Sequence, residues 1–245
     1  MNLSKLLKKP KPYAIAAMEL TKRKLRVYFG KGNNVHCKIC LWNGTQFYNG
    51  KCPKCNSLPR TRLIPFSLNH FDLIKKELSI LHIAPNINEY NYILNNFKDV
   101  KCYDRLNIKK VFPHINLVQD ITKSDIESNT YDLVIVWHVL EHIVEDKLAA
   151  SEIYRILKPD GKLLMSVPIY PHGNKKTYED ASIKYEDYEE VHGHDDHCRS
   201  CGMDYYERFE EVGFTTQELD VKNLEEVVIL KSGLSKGHVV WCFTK

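Results

Sequence analysis

The chain has 245 residues, room for one large domain and a small appendage at roughly 100–200 residues per domain. Its hydrophobic fraction, 43%, suits an ordinary buried core, and no run reaches the ~18–20 apolar residues of a membrane span. The opening MNLSKLLKKPKPYAIAAMEL is charged, but its apolar stretch from Ala14 to Met18 is too short for the core of a signal peptide, so a cytoplasmic protein is expected.

Net charge is only +4 but is unevenly spread. Residues 1–62 hold 14 Lys or Arg and a single acid, Glu19, giving +13; the remainder holds 21 basic and 30 acidic residues, giving −9. Such a head either docks on its own acidic body or receives an anionic partner, such as nucleic acid or a phosphorylated substrate.

Helix formers from Tyr13 to Phe29 predict one basic helix, with Ile15, Met18, Leu25 and Val27 among its apolar positions. Gly30, Gly32, Asn33 and Asn34 are expected to end it. Next come Cys37 and Cys40, then, after eleven residues, Cys52 and Cys55. Two C-x-x-C pairs in a chain without a secretion signal argue for metal rather than disulfides. Four thiolates satisfy tetrahedral zinc and leave no open position, so the centre is expected to be structural. A segment of about twenty residues also buries too little surface to fold without such a staple. The expected organisation is a basic N-terminal segment (1–35), a zinc-ribbon-like module (36–62) and a main domain (63–245).

From Leu63 onward, strands alternate with helical stretches, the pattern of an α/β fold with a mostly parallel sheet. Strands are expected at Ser79–Ala84, Val100–Arg105, Leu117–Ile121, Tyr131–His138 and Lys162–Pro168. LVIVW, Leu133 to Trp137, is continuously apolar and reads as a central strand. Helices are expected at Asn88–Phe97 and Val144–Leu157, the latter burying Leu148, Ile153, Ile156 and Leu157 and stopped by Pro159 and Gly161. The tail supplies a helix, Tyr205–Val212, and two strands, Phe214–Val221 and His238–Thr244, expected to form an antiparallel pair at one sheet edge.

In an open α/β sheet, ligands bind at the carboxyl ends of the strands where strand order reverses. Asp104, Asp120 and Glu141 fall at or near such ends, a pattern suited to a nucleoside-like ligand whose hydroxyls and amine need acceptors. Each acid alone serves equally well as a helix cap or turn residue.

The run YDLVIVWHVLEHIVEDKLAASEIYRILKPDGKLLMSVPI closely resembles the fourth-to-fifth-strand region of class I S-adenosylmethionine-dependent methyltransferases. CPKCNSLPRTRL, LHIAPN, TYED and GHDDHCRSCGMDYYERFEEVGF extend the resemblance to bacterial methyltransferase-domain proteins with an N-terminal cysteine motif. The resemblance implies that Asp104, with Arg105 beside it, holds the cofactor ribose and that Asp120 and Ile121 frame the adenine. It places His82, Ala84 and Pro85 under the methionine portion and makes Trp137 and His138 the pocket wall. One departure is the HIAPN turn, which lacks the glycines that let backbone approach the cofactor.

Methyl transfer needs an acceptor held in line with the departing thioether and, for a hydroxyl, a base. The polar stretch His172–His197 is expected to cover the carboxyl edge, with His197 as base and His138 as the second candidate. Tyr178, Glu179 and His194 are expected to contact the acceptor, while Glu141 and His142 orient the following helix. His192, His194, His197, Cys198 and Cys201 have the spacing of a second metal site. The expected activity is O- or N-methylation of a small molecule or cell-surface glycan precursor. Two alternatives are an RNA methyltransferase gripping the backbone with its basic head, and a non-catalytic binding protein on the same scaffold.

Overall fold

A computed structural model of the protein describes residues 12–245; the charged opening, Met1 to Lys11, lies outside the described residues. Helix α1, Pro12–Phe29, carries the basic stretch and leaves Ile15, Met18 and Leu25 exposed. After Gly30 the chain passes directly into an antiparallel hairpin, β1 (Lys31–Cys37) and β2 (Trp42–Gly44). The helix ends before Gly30 as expected, but Gly32, Asn33 and Asn34 lie within β1. Helix α2, Pro59–His70, also absent from the sequence reading, starts with proline, whose missing amide costs nothing in a first turn.

The main sheet runs through β3 (Ser79–Ile83), β4 (Cys102–Asn107), β5 (Leu117–Val118), β6 (Tyr131–Trp137), β7 (Leu157–Ser166), β8 (Thr215–Asp220) and β9 (Val239–Thr244). Its order is β5-β4-β3-β6-β7-β9-β8. The first five are parallel, whereas β9 pairs antiparallel with both β7 and β8. The fold class expected from the sequence is the one observed. β6 is central, as its continuous apolar run requires: Val134 and Val136 join one core, Leu133, Ile135 and Trp137 the other.

Helix α3, Ile87–Asn96, begins with a full capping box between Asn86 and Glu89. Helix α4, Asp146–Ile156, buries Ala149, Ala150, Ile153 and Ile156, but Leu148 faces solvent; the small alanines let the helix lie close on the sheet. Three short helices complete the chain, α5 (Tyr188–His192), α6 (Glu207–Glu210) and α7 (Glu226–Ser232). The expected helix over Tyr205–Val212 is thus a single turn. Among the described residues, no helix is long and apolar enough to cross a membrane.

The chain moves outward from β3 through β4 to β5, then returns to place β6 on the other side of β3. That reversal opens a crevice at the carboxyl ends of β3, β4 and β6.

Candidate functional site

A cavity of about 560 Å³ occupies this crevice. Ile83 and Ala84 enter it from β3, Leu106, Asn107 and Ile108 from β4, Gln119 to Thr122 from the loop after β5, and His138, Val139 and His142 to Glu145 from the loop after β6. Its walls are mostly apolar, and its polar groups sit at strand tips.

Ala84 stands where backbone must turn sharply toward the cavity, and its φ of 50° is left-handed without a glycine. Pro85 follows, buried, its carbonyl oxygen 2.8 Å from His114 Nε2. Asp120 lines the cavity with Ile121. One Asp120 oxygen accepts from the Thr122 amide at 2.9 Å and its hydroxyl at 2.8 Å, and these bonds hold the carboxyl below its usual range. The other oxygen stays available.

Asp104 is not at the cavity. β4 continues two residues past the expected end at Arg105, so its tip is Asn107 and Asp104 lies mid-strand. Both Asp104 oxygens are engaged, with Asn116 Nδ2 and the Tyr131 hydroxyl each donating at 2.8 Å. Arg105 projects to the other face, its guanidinium over the Tyr90 and Tyr103 rings and its Nε bonded to the His114 carbonyl. The strand's two-residue period also takes His82 away from the cavity, since its neighbours Ile83 and Leu81 point toward the other core. His82 is fully buried, with Nδ1 3.1 Å from the Tyr103 hydroxyl and Nε2 3.8 Å from Glu89, and burial pushes its pKa down to about 3. Trp137 likewise faces the far core and donates to the Arg60 carbonyl at 3.0 Å.

His138 does line the cavity. Its φ of 53° turns the chain out of β6, Nδ1 faces Glu141 Oε1 at 3.6 Å, and Nε2 is buried without a partner among the described residues. Burial pushes the Glu141 carboxyl up, but the facing imidazoles of His138 and His142 pull it down by more. His197 does not line the cavity; its ring lies 4.8 Å from that of His142, which does. Burial lowers the His197 pKa. His194 is exposed and stacks on His197 at 4.8 Å.

Of the expected acceptor residues, Glu179 is engaged elsewhere, and Tyr178 keeps a half-exposed ring. Glu179 bridges Arg199 at 2.8 Å and Arg208 at 2.7 Å, while the Tyr178 backbone exchanges bonds with Ser200. Arg199 is buried and donates to the carbonyls of Leu140, Ile143 and Val144 at 2.7–2.8 Å, tying the segment after β7 to the loop after β6. The expected second metal set is not assembled: Cys201 sits in the core, His192 Nδ1 bonds Ser200 Oγ, and Cys198 Sγ donates to the Glu141 carbonyl. Asn107, Gln119 and Val144 escaped the sequence reading, although a strand followed to its tip would have reached Asn107.

The four N-terminal cysteines converge. Cys37 and Cys55 sulfurs lie 3.7 Å apart, Cys40 and Cys52 3.6 Å, and all four within 4.8 Å of one another. Zinc–sulfur bonds of ~2.3 Å at tetrahedral angles put sulfurs about 3.8 Å apart, so the set fits zinc. Arg62, buried beside this centre, donates to Ser57, Gly50, Ser232 and Gly233 carbonyls and stacks on Phe47 at 3.9 Å. Its charge complements a tetrathiolate centre, and its reach locks hairpin, α2 and α7 together.

Comparison with known proteins agrees with this architecture. A family model described as "Methyltransferase domain" matches residues 98–165, from before β4 almost to the end of β7. An S-adenosylmethionine-dependent methyltransferase from Mesorhizobium loti superposes with a TM-score of 0.54 at 11% identity, covering 75% of this chain and 98% of its own. One from Archaeoglobus fulgidus gives 0.51 at 13% identity, covering 76% and 94%. No curated protein matches the chain. The fold is that of the class I methyltransferases. The matched segment contains Asn107, Asp120, Ile121 and His138, so it spans three of the four loops around the cavity. The chain is thus similar to methyltransferases over the matched segment and shares their fold.

Proposed function

We propose that this protein is a methyltransferase that binds S-adenosylmethionine in the crevice between β3, β4 and β6 and methylates an anionic small molecule or glycan precursor on oxygen or nitrogen. The observation that carries the reading is the cavity itself, at the reversal of strand order, with Asn107 and Asp120 on neighbouring tips. Asn107 meets the ribose hydroxyls, Asp120 accepts from the adenine amine, and Ile121 packs on the ring. When bound, the cofactor supplies an electrophilic methyl group. The protein's part is to hold the acceptor in line with it, largely an orientation effect.

The acceptor's place is a second cavity of about 310 Å³ on the same sheet edge, lined by His172, Lys175, Lys222, Lys236 and His238. The His138 and His238 rings, 6.1 Å apart, stand between the two cavities. Lys222 and Lys236 are paired with Asp220 and Glu226, but Lys175 has no ion-pair partner among the described residues. Three lysines favour a phosphate or carboxylate on the acceptor. His138, with its unpartnered Nε2, is the residue we assign to receive a hydroxyl proton, in preference to His197 outside the cavity. The four cysteines hold one structural zinc ion.

Calorimetry with S-adenosylmethionine and S-adenosylhomocysteine tests the reading. Micromolar binding that weakens in Asp120→Ala is expected; no heat from either ligand at millimolar concentration would leave a non-catalytic scaffold.

A further inference from the structure

The loop after β6 and the segment after α5 bring a second set of donors to the cavity rim. Ligand atoms of Glu141, His142 and His197 all lie within 4.8 Å of one another. Metal bonds of ~2.0–2.2 Å place ligand atoms up to ~4 Å apart, and a small rotation of the partly exposed His197 imidazole closes that difference. Glu141 supplies an observation that ion pairing does not explain. Its side chain is 2% exposed, and Oε1 sits 3.6 Å from His138 and 3.8 Å from His142. Oε2 is buried with no hydrogen-bond partner among the described residues. A buried carboxylate oxygen left unmatched is costly, and a cation would satisfy it.

His142 is already oriented for such a role. Its Nδ1 is held by Asp196, 3.1 Å from the carbonyl and 3.2 Å from the carboxylate, while Nε2 faces Glu141. Metal-bound imidazoles characteristically donate their other nitrogen to a carboxylate or carbonyl, which fixes ring and tautomer. The two strands of the site are also stapled: the Cys198 amide donates to the Glu141 carbonyl at 2.9 Å, one residue beyond His197.

We infer that Glu141, His142 and His197 form a binding site for one divalent first-row transition cation, separate from the cysteine centre. Two imidazoles and one carboxylate suit zinc, manganese or ferrous iron and leave positions open for water or a ligand oxygen. His142 lines the cofactor cavity, so an open position faces the site of methyl transfer. There the cation would hold an acceptor oxygen and ease the passage of its proton to His138. That role rests on the proposed function; cation binding does not.

Metal content of the full chain decides the matter. After zinc saturation and dialysis, the wild type is expected to retain one more equivalent per chain than His142→Ala or His197→Ala. With Co²⁺ as probe, the cysteine centre gives intense thiolate charge-transfer bands. The second site adds only weak visible absorption, lost in both variants. Equal zinc in wild type and folded variants would overturn the assignment. Should the variants unfold, the wild type alone suffices: a cobalt titration that ends once the thiolate bands saturate would overturn it equally. Cofactor calorimetry on the same samples reads the methyltransferase assignment separately, because loss of cofactor binding leaves the metal count unchanged.

Discussion

The cysteine hairpin and the sheet are held together by different physics. Around the hairpin, buried apolar packing amounts to Val35, Trp42 and two cysteines, with Val27, Ile39 and Phe47 against them. The sheet instead separates two large apolar clusters, one on each face, and its cavity lies at the rim of the first. On the proposed reading one unit depends on a ligand to fold, whereas the other folds first and then offers a ligand a crevice. Removing metal should therefore act on structure, and removing cofactor-site side chains should act on binding.

The largest expected effect tests the first half of that contrast. Structural zinc in small modules contributes roughly 10–16 kcal/mol of apparent binding free energy, most of which is folding free energy. Cys52→Ser, or strong chelation, should open residues 31–57 to proteolysis while the sheet keeps its circular dichroism. Because Arg62 bonds Ser57, Gly50 and α7, the start of α2 should also loosen. A proteolytic pattern identical to that of the zinc-loaded protein would place the hairpin on the sheet's side of the comparison.

Acid probes the second half. His82 is buried with a pKa near 3 against an ordinary 6.5, so the unfolded chain takes up a proton that the folded one refuses. Its contribution is complete above pH 6.5 and is lost as pH falls toward 3. Glu89 runs the other way: burial raises it from 4.5 to about 7, so folding gains as pH falls from 7 to 4.5. The two offset one another between about pH 4.5 and 6.5, and the net loss from this pair falls between 4.5 and 3. Glu89→Gln keeps the capping geometry but removes the offset, so urea midpoints should begin to fall near pH 6.5. An unchanged pH profile would mean the pair is not buried as described.

A smaller contrast lies within the sheet itself. Asp120→Ala should weaken S-adenosylmethionine by ~1–3 kcal/mol, the range for losing a hydrogen bond to a charged group. Asp104→Ala should leave affinity unchanged and cost comparable stability, since it strands the Tyr131 hydroxyl and Asn116. Calorimetry and thermal unfolding on both variants separate the two. If Asp104→Ala lost affinity instead, the strand tip would be misplaced.

The same pair explains how far the sequence could be read. The succession of strands along the chain, the central position of β6 and the four cysteines were all legible, because an apolar run and a C-x-x-C spacing are local signals. Around the cavity the reading was right in place for Ala84, Asp120, Ile121 and His138 but not for the others. Asp104 was chosen because β4 was ended two residues early, and one wrong end moves a side chain off the tip. His82 and Trp137 failed for another reason, strand alternation, which turns every second residue to the opposite core. The β1–β2 hairpin stayed hidden because its glycines and asparagines carry ordinary breaker signals, whereas its pairing partner lies across a turn. The Glu141–His142–His197 cluster joins residues more than fifty positions apart, beyond any spacing rule.

The smallest expected effect concerns the turn without glycine. Ala84 holds φ at 50°, a region in which a Cβ crowds the neighbouring carbonyl and costs about 1 kcal/mol. Glycine there would relieve that cost, partly offset by the greater freedom it gives the unfolded chain. Ala84→Gly is therefore expected to raise stability by no more than ~0.5–1 kcal/mol. The variant also removes a methyl group from the cavity wall, so S-adenosylmethionine should bind at least as tightly. A loss of affinity would show that the Ala84 methyl packs against the ligand, making the alanine a working part of the cavity and not a tolerated substitute for glycine.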